Sequence, residues 1–214
     1  MSILDRGRAL LWPDRCVLCG RVVAYGEICC SLCRRDTPVV ERPILLEGLP
    51  VAAVWRYRGR VSGAVARFKF RGDRASGERI AHLMARVWRE LCPDFGADCV
   101  TFVPIPPERE SRRGYNQAEL LARWVGRELR LPVEPLLARE GVLMQHELST
   151  GFRRRGIRNA FRLLPGAEKK AAHRRILLVD DVVTTGGTVR ACADRLLDAG
   201  AEEAAVLAIA VGGE

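Results

Sequence analysis

Short apolar runs alternate with segments of helical periodicity along most of the chain. The apolar runs predict four strands, at 51–57, 99–103, 176–179 and 204–211. The periodic segments predict four helices, at 62–68, 76–91, 117–129 and 188–199. Buried strands that alternate with helices are typical of a mostly parallel sheet flanked by helices, so the expected fold class is α/β. Ligands of such sheets bind beyond the carboxyl ends of the strands, and we expect a functional site there.

Composition divides the chain into three regions. Residues 1–36 contain five of the eight cysteines and are predicted to form a small metal-binding module. Residues 37–50 carry three prolines and are predicted to be a linker, and residues 51–214 are predicted to form the α/β domain. Within this domain, segment 137–171 fits neither period and is rich in arginine, so we expect it to be irregular or a mobile flap.

Hydropathy and charge exclude some classes of protein. The longest uncharged apolar stretch, 204–213, is half of what a membrane-spanning helix needs, and charges interrupt the apolar part of the first ten residues, unlike a signal peptide. We therefore expect a cytoplasmic protein without membrane insertion. The chain has 35 Lys and Arg residues and a net charge of +9, and most of these cations are arginine. Guanidinium groups bind phosphate oxygens in pairs, so the excess favours an anionic ligand, although a G+C-rich genome gives the same excess.

Two Cys-x-x-Cys pairs, Cys16/Cys19 and Cys30/Cys33, lie near the N-terminus. Four thiolates at this spacing bind Zn²⁺ tetrahedrally, and metal binding in a reducing cytoplasm accounts for the cysteines better than disulfides do. Cys29 is the alternative to Cys30, but its spacing to Cys33 is one residue longer. Because four thiolates leave no coordination position open, the zinc is expected to be structural.

The stretch ILLVDDVVTTGGT places two acidic residues at the end of an apolar strand, before a Thr/Gly turn and a helix. The glycines allow a tight turn in which backbone N–H groups converge on one anion, and the threonine hydroxyls and the positive end of the helix add to the attraction. The stretch is neither a Walker A sequence nor a dinucleotide-binding Gly-x-Gly-x-x-Gly sequence. It predicts a phosphate-binding loop, preceded by carboxylates that suit a ribose diol. The residues concerned are Asp180, Asp181, Val182, Val183, Thr184, Thr185, Gly186, Gly187 and Thr188.

A second stretch, VPIPPERESRRGYNQ, follows the predicted strand at 99–103. Prolines interrupt helices and sheets, so we expect a rigid loop, with Asn116 as the N-cap of the next helix. Arg109, Arg112 and Arg113 lie on this loop. Either they bind pyrophosphate or they form a solvated arginine turn.

The segment 176–188 resembles the motif with which type I phosphoribosyltransferases bind 5-phosphoribosyl-1-pyrophosphate (PRPP). The resemblance implies that Asp180 and Asp181 hold the ribose hydroxyls, that the loop holds the 5-phosphate, and that Mg²⁺ accompanies PRPP. It also implies PRPP contacts for Pro106, Arg112 and Arg113. Catalytic roles would fall to Asp180, Asp181 and Arg113.

Further motifs extend the resemblance to the ComF family, whose members carry a phosphoribosyltransferase-like domain and act in competence for DNA uptake. These motifs are RGYNQ at 113–117, KFRGD at 69–73, Gln145 with Leu148-Ser149 three residues later, and Arg153-Arg154. The resemblance covers nearly the whole chain and implies a type I phosphoribosyltransferase-like fold with a zinc-ribbon-like N-terminal module. The chain departs from the family at Gly156, where Asn is usual. The residues implied in flap or nucleic-acid contacts are Lys69, Arg71, Gln145, Arg153 and Arg154, although an exposed helix end explains the stretch at 69–73 equally well.

Three functional hypotheses follow. The first is a PRPP-binding protein of DNA uptake that contacts single-stranded DNA and the uptake machinery. The second is an active Mg²⁺-dependent phosphoribosyltransferase with an unidentified nucleobase or amine acceptor. The third is a PRPP-sensing regulator without turnover. Aromatic residues in the basic stretch 54–74 would stack on DNA bases in the first hypothesis, unless they belong to the core: Trp55, Tyr57, Phe68 and Phe70.

Overall fold

One five-stranded sheet organises the α/β domain. The computed structural model describes residues 13–140 and 160–212. The strands in these residues are β1 (Ile44–Leu46), β2 (Leu49–Arg56), β3 (Cys99–Phe102), β4 (Leu137–Arg139), β5 (Phe161–Leu163), β6 (Arg175–Val183) and β7 (Glu203–Val211). The sheet has the order β1-β2-β7-β6-β3, and β4 and β5 pair separately as an antiparallel hairpin.

Four of the five strands in the main sheet run parallel. β2 pairs with β7, β7 with β6 and β6 with β3, all parallel, whereas β1 is an antiparallel edge strand. Every residue of the central strand β7 after Glu203 is buried, so both faces of the sheet are covered. The predicted mostly parallel α/β sheet is confirmed.

Seven helices complete the described residues. They are α1 (Ser31–Asp36), α2 (Arg60–Arg71), α3 (Arg74–Leu91), α4 (Pro107–Arg113), α5 (Gln117–Leu129), α6 (Ala167–Ala171) and α7 (Gly187–Asp198). The longest, α3, begins where the Asp73 side chain accepts a hydrogen bond from the backbone N–H of Ser76. Its apolar stripe from Ile80 to Trp88 is buried against α5 and β2, as its periodicity predicts.

The proline-rich stretch after β3 corrects one prediction. We expected a rigid loop, but the chain forms helix α4 directly after Pro106, with Pro107 as its first residue. Proline is favoured at this position, because the first helical N–H has no partner within the helix and the fixed φ already matches the helix. The arginines of this stretch therefore lie on a helix.

The arginine-rich segment 137–171 is also more regular than expected where it is described. Its ends form the β4–β5 hairpin and α6, with Leu137 opposite Leu163. Residues 141–159, which include Gln145, Arg153, Arg154 and Gly156, lie outside the described residues.

Arginines of α2 and α3 attach the cysteine module to the α/β domain. Arg67 donates hydrogen bonds from Nη2 to the carbonyls of Val17 (2.8 Å) and Leu18 (3.0 Å). Arg79 donates likewise to the carbonyls of Arg15 and Glu27. These bonds saturate backbone acceptors of the cysteine module.

The predicted linker, 37–50, contributes to the sheet. Its residues Ile44–Leu46 form β1, and Val39 forms an isolated bridge with Trp55 of β2. The position of the boundary between the module and the domain stays a prediction. None of the helices in the described ranges combines the length and hydropathy that a bilayer span requires.

Candidate functional site

The carboxyl ends of β3, β6 and β7 meet at one edge of the sheet, because these strands are parallel neighbours. β6 extends beyond its predicted end, through both acidic residues to Val183. A turn at 184–186 then leads into α7, which begins at Gly187. The order strand, acids, turn and helix is therefore the one that the sequence predicts.

The turn encloses a cavity of about 50 Å³ beside the first residues of α7, lined by Asp180 and residues 182–189. Gly186 closes it with a φ of 78°, and a Cβ on this residue would lie 2.5 Å from Cδ1 of Leu46. Both the left-handed backbone and the close contact require glycine here. Arg190 donates to the carbonyl of Glu47 at 2.8 Å. The tip of the β1–β2 hairpin thus supports the predicted phosphate loop.

Asp180 and Asp181 have different environments, as expected for consecutive residues of a strand. Asp181 forms an ion pair with Lys69 at the end of α2, with Lys69 Nζ 2.9 Å from Asp181 Oδ1. The side chain of Asp181 is only 14% exposed and that of Lys69 24%. Asp180 accepts the backbone N–H of Asp181 at 2.7 Å. Burial and the neighbouring Asp181 carboxylate raise the pKa of Asp180 to about 8, against the opposing effects of that N–H, Lys69 and Arg139. Asp180 therefore keeps its proton to a higher pH than an ordinary carboxyl group.

Within the RGYNQ run, Gly114 and Asn116 shape the junction between α4 and α5. Gly114 ends α4 in the left-handed conformation, with a φ of 78°. Asn116 caps α5 by accepting the N–H of Ala118 at 3.0 Å, and its Nδ2 donates to the carbonyl of Val103 at 3.1 Å. The predicted N-cap is confirmed, and it anchors the arginine helix to the end of β3.

Tyr115 and Gln117 connect the same junction to α2. The Tyr115 hydroxyl donates to the carbonyl of Phe68 at 2.6 Å, and Gln117 Nε2 lies 3.5 Å from the carbonyl of Lys69. Gln117 Oε1 accepts from Nη1 of Arg113 at 3.0 Å. These bonds fix the start of α5 against the end of α2, from which Lys69 reaches Asp181.

The sulfur atoms of Cys16, Cys19, Cys30 and Cys33 all lie within 4.8 Å of one another. The Cys19 and Cys30 sulfurs are 3.8 Å apart, close to the roughly 3.8 Å edge of a tetrahedron with Zn–S bonds of about 2.3 Å. Burial alone would raise the pKa of the Cys16 thiol, but hydrogen bonds from the Cys30, Cys19 and Leu18 amides lower it to about 6. This donor set fits Zn²⁺, and in the described part of the chain Cys29 is outside the group of four.

The comparisons with known proteins agree with this arrangement. A family profile described as a phosphoribosyl transferase domain matches residues 141–213. Competence protein F of Haemophilus influenzae is 29% identical over 200 residues, which are 91% of this chain and 83% of that protein. DNA utilization protein YhgH of Escherichia coli O6:H1 is 32% identical over 191 residues, 87% of this chain and 79% of the relative. The chain belongs to the ComF family.

A third relative, competence protein ComFC of Bacillus subtilis, is 27% identical over 187 residues, 86% of this chain and 72% of that protein. The ComF chain has the type I phosphoribosyltransferase-like fold that the sequence predicts, with helices flanking the sheet. Its four neighbouring N-terminal cysteines indicate a zinc-binding module.

The predicted pyrophosphate residues of the ComF protein all lie at the α4 helix, with different exposure. Pro106 is its partly buried N-cap, and Arg109 and Arg112 are exposed. The guanidinium of Arg113 lies 4.9 Å from the centre of the Phe70 ring. Its Nε is buried and, among the described residues, has no hydrogen-bond partner. Arg113 therefore retains a donor that a ligand oxygen can saturate.

The residues predicted for flap or nucleic-acid contacts separate in the structure. Lys69 lies against Asp181 in the acidic pair, whereas Arg71 is exposed at the end of α2. Gln145, Arg153 and Arg154 fall outside the described residues.

The aromatic residues of the basic stretch also separate. Trp55 and Phe68 are buried in the core, at 3% and 0% exposure, and Phe68 packs against Trp124. Tyr57 is 37% exposed and Phe70 is 68% exposed. Of the four rings, only these two remain available for stacking on a ligand.

Sequence reasoning missed Arg139, the last residue of β4. Its guanidinium lies 5.2 Å from the centre of the Phe161 ring. Electrostatic interactions link it to Asp180 and to Arg109. A strand of three residues has no detectable periodicity, and arginine is common throughout this chain, so no local signal distinguishes this position.

Proposed function

We propose that this ComF protein binds PRPP, or a related phosphorylated sugar, at the carboxyl edge of its sheet. The observation that carries the proposal is the small cavity at the start of α7, directly beside the acidic pair. Backbone N–H groups of the turn and the positive end of a twelve-residue helix attract a phosphate group there. Asp180 lines this cavity and Asp181 follows it on β6, and the two carboxyl groups hold the ribose hydroxyls.

Mg²⁺ fits the same site, because it prefers oxygen ligands and commonly binds together with substrate phosphates. When bound, Mg²⁺ would neutralise charge on the diphosphate. The protein supplies Asp180 and Asp181 for the ribose, the loop 184–188 for the 5-phosphate, and Pro106, Arg112 and Arg113 for the diphosphate. Zn²⁺ in the four-cysteine cluster has a structural role, and the lack of disulfides among the eight cysteines suits a reducing cytoplasm.

Calorimetric titration with PRPP and Mg²⁺ tests the proposal. We expect one ligand per wild-type chain and no measurable heat for the double variant Asp180→Ala/Asp181→Ala, because both ribose contacts are lost. Glu203→Gln removes one negative charge at the opposite end of the sheet and is expected to bind as the wild type does. Unchanged binding by the double variant would contradict the assignment of the site.

The names of the relatives favour a role in DNA utilization and competence, and we propose direct contact with single-stranded DNA within that role. The exposed ring of Tyr57 precedes α2 and the exposed ring of Phe70 lies on its last turn, in a stretch with seven cations and one acid between residues 54 and 74. Aromatic rings stack on bases, and arginines bind the backbone phosphates. Partners in the DNA-uptake machinery follow from the same role.

Two variants separate stacking from charge in the binding of an oligothymidylate. Phe70→Ala is expected to weaken binding by about 5- to 100-fold, with an unchanged dependence on salt, because stacking is worth roughly 1–3 kcal/mol per base. Arg71→Gln is expected to lower the slope of log K against log salt by about one. Tyr25→Ala, which removes an exposed ring of the cysteine module, is the control and keeps the wild-type affinity. Salt-independent binding, or equal effects of Phe70→Ala and Tyr25→Ala, would count against a DNA interface on α2.

A transferase activity is the second candidate, favoured by the basic helix α4 at the edge where a diphosphate would leave. Release of pyrophosphate from PRPP in the presence of a panel of nucleobases and amines tests it. Turnover with one acceptor identifies an enzyme, whereas PRPP binding without pyrophosphate release identifies a PRPP-sensing regulator.

A further inference from the structure

A contact between Phe70 and Arg113 joins the two proposed sites. The guanidinium of Arg113 lies 4.9 Å from the centre of the Phe70 ring. Phe70 is on the last turn of α2, which carries the proposed DNA interface, and Arg113 is the last residue of α4, beside the proposed sugar-phosphate site. One cation–π pair is therefore shared between a ring that would stack on bases and a guanidinium that would bind phosphate oxygens.

Arg113 cannot use all of its donors while this contact is closed. Its Nη1 donates to Oε1 of Gln117 at 3.0 Å, but its Nε is buried and has no hydrogen-bond partner in the part of the chain that the structure describes. A ligand oxygen does not fit between the guanidinium and the ring at their present separation. Because Nε is buried, a ligand reaches it only when Arg113 moves, and this movement breaks the contact with Phe70.

The other partner of the contact is a side chain on fixed backbone. The Tyr115 hydroxyl donates to the carbonyl of Phe68 at 2.6 Å, and Gln117 Nε2 lies 3.5 Å from the carbonyl of Lys69, so the end of α2 is held in place. Phe70 itself is 68% exposed, and an exposed side chain changes rotamer rapidly. Arg113 covers one face of its ring, and a base that stacks on that face displaces the guanidinium.

We propose that the closed contact between Arg113 and Phe70 is an internal block that each ligand relieves for the other, so that a phosphorylated sugar and single-stranded DNA bind with positive cooperativity. This inference rests on the proposed function and adds the regulation of its two sites. A sugar phosphate that binds Arg113 frees a face of Phe70 for a base, and a base on Phe70 frees the donors of Arg113. Since the contact has to be broken only once, the second ligand binds more tightly than it does alone.

Calorimetry in the presence of Mg²⁺ tests the cooperativity in both directions. Saturating PRPP is expected to tighten the binding of an oligothymidylate to the wild type by about 3- to 10-fold. Saturating oligothymidylate is expected to tighten PRPP binding by the same factor, because coupling between two binding sites is reciprocal. Equal affinities with and without the second ligand overturn the inference, while the binding of each ligand alone still supports the proposed function.

Phe70→Ala separates this contact from the general effect of charge. Without a ring over Arg113, the variant is expected to bind PRPP about 3- to 10-fold more tightly than the wild type when no DNA is present. Its cooperativity is expected to disappear, because only the repulsion between two anionic ligands remains. The exposed position of Phe70 lets the variant fold as the wild type does. Unchanged or weaker PRPP binding by Phe70→Ala contradicts the block.

Two control variants accompany this measurement. Phe70→Tyr keeps a ring over Arg113 and is expected to retain the wild-type affinity for PRPP and the cooperativity. Tyr25→Ala removes an exposed ring of the cysteine module and is expected to change neither. An equal gain in PRPP affinity by Phe70→Ala and Tyr25→Ala would overturn the inference. If the wild type does not bind one of the two ligands at all, the proposed function fails for that ligand first, and the inference fails with it.

Discussion

Replacing Asp180 with Asn is expected to stabilise the folded protein while it abolishes PRPP binding. The pKa of Asp180 is raised from 3.8 to about 8 by burial and by the Asp181 carboxylate. Between these two values the folded state binds a proton that the unfolded chain has lost, so stability falls as pH rises from about 4 to 8. Asn keeps the shape and still accepts the N–H of Asp181, but it carries no charge. Asn also loses the attraction of the Asp180 carboxylate to Lys69 and Arg139, and it no longer raises the pKa of Cys192. Both effects are smaller than the effect of burial.

The expected result is a melting temperature about 3–6 °C above the wild type at pH 8, with a difference that shrinks towards pH 4.5. Scanning calorimetry over this pH range measures it. Asp194→Asn, which removes the acidic residue of the partly exposed Arg190–Asp194 ion pair on α7, is the control and is expected to shift the melting temperature by less than about 2 °C at every pH. A pH-independent difference for Asp180→Asn would show that Asp180 is ionised throughout.

The companion variant Asp181→Asn is expected to have the opposite effect on stability. It leaves the mostly buried ammonium group of Lys69 without its partner at 2.9 Å, and this loss exceeds the relief that Asp180 gains. An acidic residue that destabilises a fold persists where a ligand needs it. Opposite effects of Asp180→Asn and Asp181→Asn on stability, together with loss of PRPP binding in both variants, would therefore identify the pair as a functional site.

The sheet and the phosphate loop could be predicted because their signals are local. β6 contains an apolar run that leads into the two acids, and Gly186 and Gly187 follow within six residues, so one short stretch contains strand, site and helix start. The N-cap of α5 was equally clear, because Asn116 directly precedes a periodic helix. Such features need no knowledge of distant residues.

The environment of the acidic pair could not be predicted, because it is built from distant segments. Lys69 reaches Asp181 across more than one hundred residues, and Arg139 comes from a three-residue strand. Helix α4 was not predicted, because proline interrupts a helix at interior positions and is favoured only at the first ones, where Pro107 lies. Most helices, strands and turns could therefore be predicted from local sequence, whereas the contacts between distant segments could not.

Replacing Cys16 with Ser is expected to remove bound zinc and to lower the melting temperature by about 5–10 °C. Three sulfurs cannot close a structural tetrahedral site, and the module then loses the constraint that holds its knuckles. Arg67 on α2 would lose its carbonyl acceptors at Val17 and Leu18, so the loss extends into the α/β domain. Metal analysis of the purified protein measures the first effect, with about one zinc expected per wild-type chain, and thermal unfolding measures the second.

Cys29→Ser decides which thiol is the third ligand. Cys29 is buried next to Cys30, and burial with the nearby Cys16 thiol raises its pKa to about 12, so it stays a neutral thiol outside the four-sulfur group. We expect this variant to keep one zinc per chain and Cys30→Ser to lose it. The reverse result would place Cys29 in the coordination sphere. If Cys16→Ser, Cys29→Ser and Cys30→Ser all kept their zinc, the metal would not bind at this cluster.

Because Arg67 lies two residues from Lys69 on α2, the Cys30→Ser variant is also expected to bind PRPP more weakly than Cys29→Ser.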